Sequence, residues 1–156
     1  MPSAGKTYLG KRLAGKFGKT WVDLDPLNSG GITTTLESDR IIMKKEEKLL
    51  LSAKDGNCIF SCSGSSIYSD KGMEHLQDIS AIFYLKLPLK VIEKRLGNFE
   101  NRGVVRAKKL TLQELYKERA PLYGKYADFT FAFNKESAEL QFEELCGFIE
   151  KIYAKI

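Results

Sequence analysis

The sequence predicts a three-layer α/β domain built on a mainly parallel sheet, and three observations lead there. Short apolar runs read as buried strands, longer helical patterns alternate with them, and no repeat, low-complexity tract or linker divides the 156 residues. The strands in order are Thr20–Asp25, Cys58–Cys62, Ala81–Leu85 and Phe129–Phe133. A first helix follows Thr7, with Leu9, Leu13 and Phe17 at roughly helical spacing before Gly18. Further helices are expected near Ile41–Ala53, Asp70–Gln77, Pro88–Leu96, Thr111–Tyr123 and Glu136–Ile152. Pro88 suits a first helical turn and Gly97 a helix stop. In the last helix Leu140, Leu145, Ile149 and Ile152 form an apolar stripe suited to packing on the sheet. With helix and strand alternating throughout, a ligand crevice is expected at the carboxyl ends of the strands.

Composition bounds the function. A chain of 43% hydrophobic and 29% charged residues is ordinary for one globular domain, so residues 1–156 are read as a single unit. No apolar run approaches the roughly 18 residues that span a bilayer, and no signal-peptide pattern is present, so a cytoplasmic protein without membrane contact is expected. Cys58, Cys62 and Cys146 are too few and too scattered for a disulfide framework or a zinc site, and buried free thiols are expected. The net charge of +5 is spread along the chain. An anionic nucleotide with an anionic substrate accounts for it without nucleic acid, and a monomer is expected.

The most informative stretch is Met1-Pro2-Ser3-Ala4-Gly5-Lys6-Thr7, which fills seven of the eight positions of a phosphate-binding G-x-x-x-x-G-K-[ST] loop. Backbone N–H groups from Ala4 to Thr7, at a helix N-terminus, can surround phosphate oxygens; Lys6 can reach the outer phosphates and the Thr7 hydroxyl can ligate magnesium. Gly-Lys-Thr also suits an ordinary helix start. Such a loop normally hangs from a buried strand, for which the sequence as given has no residues. The expectation is therefore that the first strand is missing through a misassigned start or missing coordinates, the rival being a protein that lost it.

Other constellations fall at the expected crevice. Asp23 and Asp25 alternate along a strand end and so point to one side, where one can hold a metal and the other accept a proton from an attacking hydroxyl; a polar strand terminus running into Pro26 has the same look. Ser63-Gly64-Ser65 is a small-residue turn that lets a substrate approach the backbone, or simply a strand-to-helix turn. Arg119 offers a planar fork to a substrate carboxylate, or a surface salt bridge. Arg102 lies in the basic stretch from Gly97 to Lys109, a natural lid or a solvated loop. His75 reads as a helix-surface residue without a role.

In sequence order, the phosphate loop, Asp23-Leu24-Asp25, the turn at Ser63–Ser65, Asn101-Arg102-Gly103-Val104-Val105, and Arg119-Ala120-Pro121-Leu122-Tyr123 followed by Tyr126-Ala127-Asp128 resemble shikimate kinase. The resemblance spans Met1 to about Phe133, and the Arg-x-Pro-Leu-Tyr element is its most specific part. It implies a P-loop kinase fold with a five-stranded parallel sheet, and transfer of the γ-phosphoryl group of MgATP to shikimate or a similar carboxylated alcohol in aromatic amino-acid synthesis. By the same resemblance Ala4, Gly5, Lys6 and Thr7 bind nucleotide, and Thr7 and Asp23 face the metal. Asp25, Lys44, Gly64 and Arg119 meet the acceptor, with Lys6, Asp25 and Arg102 catalytic. The acceptor-binding insert would cover about residues 26–50 and the lid about 97–110. Three departures stand out. The leading Gly and first strand are absent, a Gly-Gly-Gly turn reads Ser63-Gly64-Ser65, and an arginine of a Phe-Arg-x-x-Glu pattern has Lys44, before Glu46 and Glu47, as its nearest counterpart. A lysine cannot reproduce a bidentate guanidinium contact. An inert, nucleotide-binding or interaction protein of the same fold is the alternative.

Overall fold

The computed structural model describes residues 1–25, 36–97, 104, 109–133 and 137–153. Helix α1 (Lys6–Lys16) leads to strand β1 (Thr20–Leu24), α2 (Leu36–Ser52) and β2 (Cys58–Cys62). A 3₁₀ turn at Ser66–Tyr68 then precedes α3 (Asp70–Ile79). Strand β3 (Phe83–Lys86), α4 (Leu89–Leu96), α5 (Leu112–Tyr126), β4 (Phe129–Ala132) and α6 (Ala138–Tyr153) complete the order. All the strands expected from the sequence are present. The differences lie at the ends: α2 begins five residues before Ile41, and Pro88 is the residue before α4 rather than part of its first turn. Gly97 ends α4 with a φ of 60°, a conformation that favours glycine.

The strands form two parallel pairs. Strand β1 runs beside β2 with Thr20 opposite Cys58 and Leu24 opposite Cys62, while β3 runs beside β4 with Phe83 opposite Phe129. Strands β2 and β3 are not bonded to each other, so the expected single sheet is divided at its centre. Apolar side chains pack on both faces. One cluster joins Leu9 and Leu13 of α1, Ile92 and Leu96 of α4, and Leu145 and Ile149 of α6; the other joins Leu24, Leu50, Met73, Leu76 and Tyr126 from β1, α2, α3 and α5. This is the three-layer arrangement that the alternating pattern predicts. Leu140 departs from the expected stripe of α6 and stands exposed on the helix's first turn. Cys146 is buried, whereas Cys58 and Cys62 are only half-buried because they lie along β2 facing the central division; all three are free thiols.

Helix α1 is docked on the first strand pair by one close contact. Gly10 is buried against Ser61 and Trp21, and a Cβ at this glycine would lie 2.3 Å from the Ser61 hydroxyl. The Trp21 indole N–H donates to that hydroxyl at 2.9 Å, and the hydroxyl donates to the Lys6 carbonyl at 3.2 Å. The first turn of α1 is thereby tied to the middle of the β1–β2 pair, which fixes where its free N–H groups point. Gly10→Ala should destabilise the fold by about 1–3 kcal/mol in urea unfolding despite alanine's better helix propensity. Adding Ser61→Gly should recover part of that loss; a Gly10→Ala protein at least as stable as the parent would contradict the contact.

Candidate active site

The site forms where the start of α1 meets the carboxyl ends of β1 and β2. Gly5 precedes α1 with a φ of 86° and Ser3 has a φ of 53°, left-handed conformations that curl the loop back on itself. The first amides of α1 have no intrahelical acceptor and, with the positive end of the helix dipole, favour an anion. Lys6 Nζ lies inside the curl and donates to the Met1 carbonyl at 3.0 Å. Burial lowers its pKa, with Asp25 acting in the opposite direction and Arg119 reinforcing the lowering. A phosphate oxygen accepting from this ammonium would replace a neutral carbonyl with a charged partner, a stronger bond.

Asp23 and Asp25 stand at the end of β1, on either side of buried Leu24. The Asp25 amide donates to Asp23 Oδ1 at 3.0 Å, so the pair is braced by its own backbone. The oxygen groups expected to face a metal are the Thr7 hydroxyl and the Asp23 carboxylate. Both are hard oxygen ligands, suited to magnesium that keeps most of its shell in water and phosphate oxygens. Among the described residues no group of three or more His, Cys, Asp or Glu could hold a metal ion.

Opposite the aspartates, Arg119 of α5 is 1% exposed, an unusual place for a guanidinium. Its Nε donates to the Tyr68 hydroxyl at 3.1 Å, and its charge sits 5.2 Å from the centre of the Tyr68 ring. The Tyr68 hydroxyl in turn donates to Glu118. The backbone at Gly64 comes close: a Cβ there would lie 3.0 Å from the Arg119 guanidinium. The Gly64 carbonyl accepts from the Tyr123 hydroxyl at 2.7 Å, and burial pushes that phenol's pKa up. Gly64, Arg119, Tyr68 and Tyr123 thus form one wall. The role of Arg119 as an exposed salt-bridge residue is excluded by this burial.

Glu46 completes the acceptor side. It is 1% exposed, and its Oε1 accepts from the hydroxyls of Ser63 and Ser65, the latter at 2.6 Å. Burial raises its pKa, the two serine bonds lower it, the Asp25 charge raises it and the Arg119 charge lowers it. Nearby Glu47 accepts from the Ser69 hydroxyl at 2.6 Å. The two serines that replace glycines in the turn therefore have a partner: they satisfy a buried carboxylate.

Of the residues expected at the site, Ala4, Gly5, Lys6, Thr7, Asp23, Asp25, Gly64 and Arg119 come together at this end of the strands. Lys44 does not join them, because it stands exposed two residues before Glu46, which turns it to the far side of α2. Arg102 and most of the stretch 97–110 lie outside the described residues, as do residues 26–35 of the acceptor segment. His75 is half-buried, and its Nε2 is 2.8 Å from the Ala53 carbonyl, a structural tie between α3 and the end of α2. Sequence reasoning assigned no role to Glu46, Tyr68 and Tyr123. The signal for Glu46 was its place four residues before Leu50 and four after Ile42, both buried, on the inward stripe of α2.

Comparison with known proteins shows the family. The family model described as "Shikimate kinase" matches residues 2–150. A shikimate kinase of Nitrosomonas europaea is 28% identical, covering 100% of this chain and 75% of the relative, and one of Thermodesulfovibrio yellowstonii is 29% identical, covering 97% and 90%. Among solved structures, a shikimate kinase from Acinetobacter baumannii in complex with shikimate superposes with a TM-score of 0.76 at 24% identity, covering 95% of this chain and 88% of that one. The enzyme from Aquifex aeolicus superposes with a TM-score of 0.68 at 21% identity, over 97% of this chain and 92% of the other. With the phosphate loop, the paired aspartates and the buried arginine in one crevice, the chain belongs to the shikimate kinase family, kinases that use ATP and magnesium to phosphorylate an alcohol.

Proposed function

We propose that this chain transfers the γ-phosphoryl group of ATP to a hydroxyl of shikimate, or of an alcohol carrying a carboxylate in the same relation to that hydroxyl. The observation that carries the reading is the buried Arg119 guanidinium at Gly64, facing the side on which Asp25 stands. A guanidinium stays charged at every physiological pH, and its planar fork matches a ligand carboxylate with two parallel bonds. We further read the chain as a cytoplasmic monomer without nucleic-acid partners.

Each residue then has a task. The amides of Ala4 to Thr7 and the Lys6 ammonium hold the phosphate tail, and Lys6 offsets charge that builds on the bridging oxygen as the terminal phosphoryl group leaves. Thr7 and Asp23 would hold magnesium, which would supply neutralisation of phosphate charge. Arg119 fixes the acceptor by its carboxylate so that one hydroxyl falls beside Asp25, which accepts its proton as the oxygen attacks phosphorus. Glu46 touches neither reacting atom. Through Ser63 and Ser65 it holds the turn that carries Gly64, and so sets the distance between Gly64 and Arg119.

A coupled assay should show ADP formation that depends on shikimate. ATP binding without stimulation by any carboxylated alcohol would favour the inert reading instead. Lys6→Ala and Asp25→Asn should each lower kcat by about 100-fold or more with the fold unchanged by circular dichroism. Arg119→Lys should raise the acceptor KM by about tenfold or more and leave the ATP KM near the parent value; an unaltered acceptor KM would remove the arginine from the acceptor site. Because burial raises the Glu46 pKa above its ordinary 4.5, the folded protein holds this proton more tightly than the unfolded chain. The parent's stability should therefore fall relative to Glu46→Gln as pH rises from about 4.5 towards neutrality, measured by urea unfolding across that range. A gap between the two proteins that does not change with pH would argue that Glu46 is not strained by its burial.

A further inference from the structure

Glu118 and Arg119 are neighbours on α5, and consecutive side chains leave a helix about 100° apart, so the carboxylate and the guanidinium do not face each other across it. One phenol joins them. The Tyr68 hydroxyl lies 3.1 Å from Arg119 Nε and also reaches Glu118 Oε1. Its hydrogen has a single destination, because a guanidinium cannot accept and a carboxylate cannot donate. The phenol therefore donates to Glu118 and turns a lone pair to Arg119. Burial raises the Tyr68 pKa, which keeps that hydrogen in place.

Tyr68 is aimed by a turn anchored on both sides. Its amide donates to the Ser65 carbonyl at 2.9 Å, and the Ser69 amide donates to the Ser66 carbonyl at 3.0 Å. Ser65 donates to Glu46 and Ser69 to Glu47, each at 2.6 Å, so neighbouring carboxylates of α2 grip the turn before and after the tyrosine. Ser69 also caps α3 by accepting from the Gly72 amide. A group held this firmly imposes its geometry on a flexible arginine rather than following it.

A guanidinium presents two forked edges, one made by Nε with a terminal nitrogen and one by both terminal nitrogens. Tyr68 takes Nε and so blocks the first edge. Nη1, which belongs to the second edge alone, comes up to the turn, where a Cβ on Gly64 would stand 3.0 Å from it. We propose that Tyr68 is a positioning residue for the acceptor: oriented by Glu118, it holds the Nε corner of Arg119 and presents the edge of two terminal nitrogens, beside Gly64, to a ligand carboxylate. This rests on the reading of Arg119 as the clamp for the acceptor's carboxylate. The hydroxyl of Tyr68 then decides how strongly the site prefers a carboxylate over an uncharged group of the same size.

Calorimetric titration tests it with shikimate and with methyl shikimate, in which the carboxylate is masked as an ester; ADP binding checks the phosphate loop. Tyr68→Phe keeps the ring 5.2 Å from the Arg119 charge and removes only the hydroxyl. It should weaken shikimate about tenfold while leaving methyl shikimate within about twofold and ADP unchanged. Glu118→Ala should weaken shikimate by about threefold, and should add nothing to Tyr68→Phe. Glu118→Gln, whose amide oxygen still accepts the phenol hydrogen, should bind like the parent. Parent-like shikimate binding by Tyr68→Phe overturns the proposal, as does an equal loss for the ester, which would make the tyrosine a packing group only. Since binding and not turnover is read, a chain that binds shikimate without phosphorylating it contradicts the kinase reading, and the tenfold loss in Tyr68→Phe still supports this one. A parent that binds no shikimate overturns both.

Discussion

The close approach of α1 to the β1–β2 pair at Gly10 is the constraint on which the site depends. A glycine lets the helix sink until the Ser61 hydroxyl bridges the Trp21 indole and the Lys6 carbonyl. That bridge orients the first turn of α1, and the first turn carries both the unpartnered amides and Lys6. A helix held a carbon–carbon contact further away would leave the phosphate loop aimed beside the strand ends instead of over them. The aim of the loop is thus a packing property of the first layer, to which the Lys6 bond to the Met1 carbonyl adds a tie within the loop.

The acceptor side is built on the opposite principle, with charge rather than close packing. Arg119 and Glu46 are both nearly inaccessible, and each is held by hydroxyls: Arg119 by Tyr68, Glu46 by Ser63 and Ser65. Buried charges cost several kcal/mol unless hydrogen-bonded, and fixed hydroxyls reduce that cost without neutralising the charge. The pocket therefore sets a positive guanidinium beside the turn at Gly64, and a carboxylate braces that turn. The serines at this turn preserve the fold of the wall in a chain where Lys44 stands on the outside of α2.

Much of the fold was legible because its signals are local. Four apolar runs became four strands, and the Gly5-Lys6-Thr7 signature and the alternation of Asp23 and Asp25 fall at the start of α1 and the end of β1. The start of α2 was not legible, since residues 36–40 lack the apolar spacing that marks Ile42 to Leu50 as helical. Lys44 was chosen as the nearest counterpart of an arginine in a Phe-Arg-x-x-Glu pattern, and that pattern does not say which face of α2 it occupies; a step of two from buried Glu46 sets it on the exposed side. Glu46, Tyr68 and Tyr123 escaped because a buried polar network depends on which elements meet, and nothing in a single segment announces it. The exposed Leu140 shows the converse, an apolar residue in the right period at a helix end where no neighbour covers it.

The most direct measurement is a crystal structure of the protein with a non-hydrolysable ATP analogue and shikimate. The account predicts the phosphate tail on the amides from Ala4 to Thr7, with Lys6 Nζ transferred from the Met1 carbonyl to a phosphate oxygen. It also places the shikimate carboxylate on Arg119 and one ring hydroxyl within hydrogen-bond distance of Asp25. An empty phosphate loop at saturating nucleotide, or shikimate bound with its carboxylate away from Arg119, would contradict it.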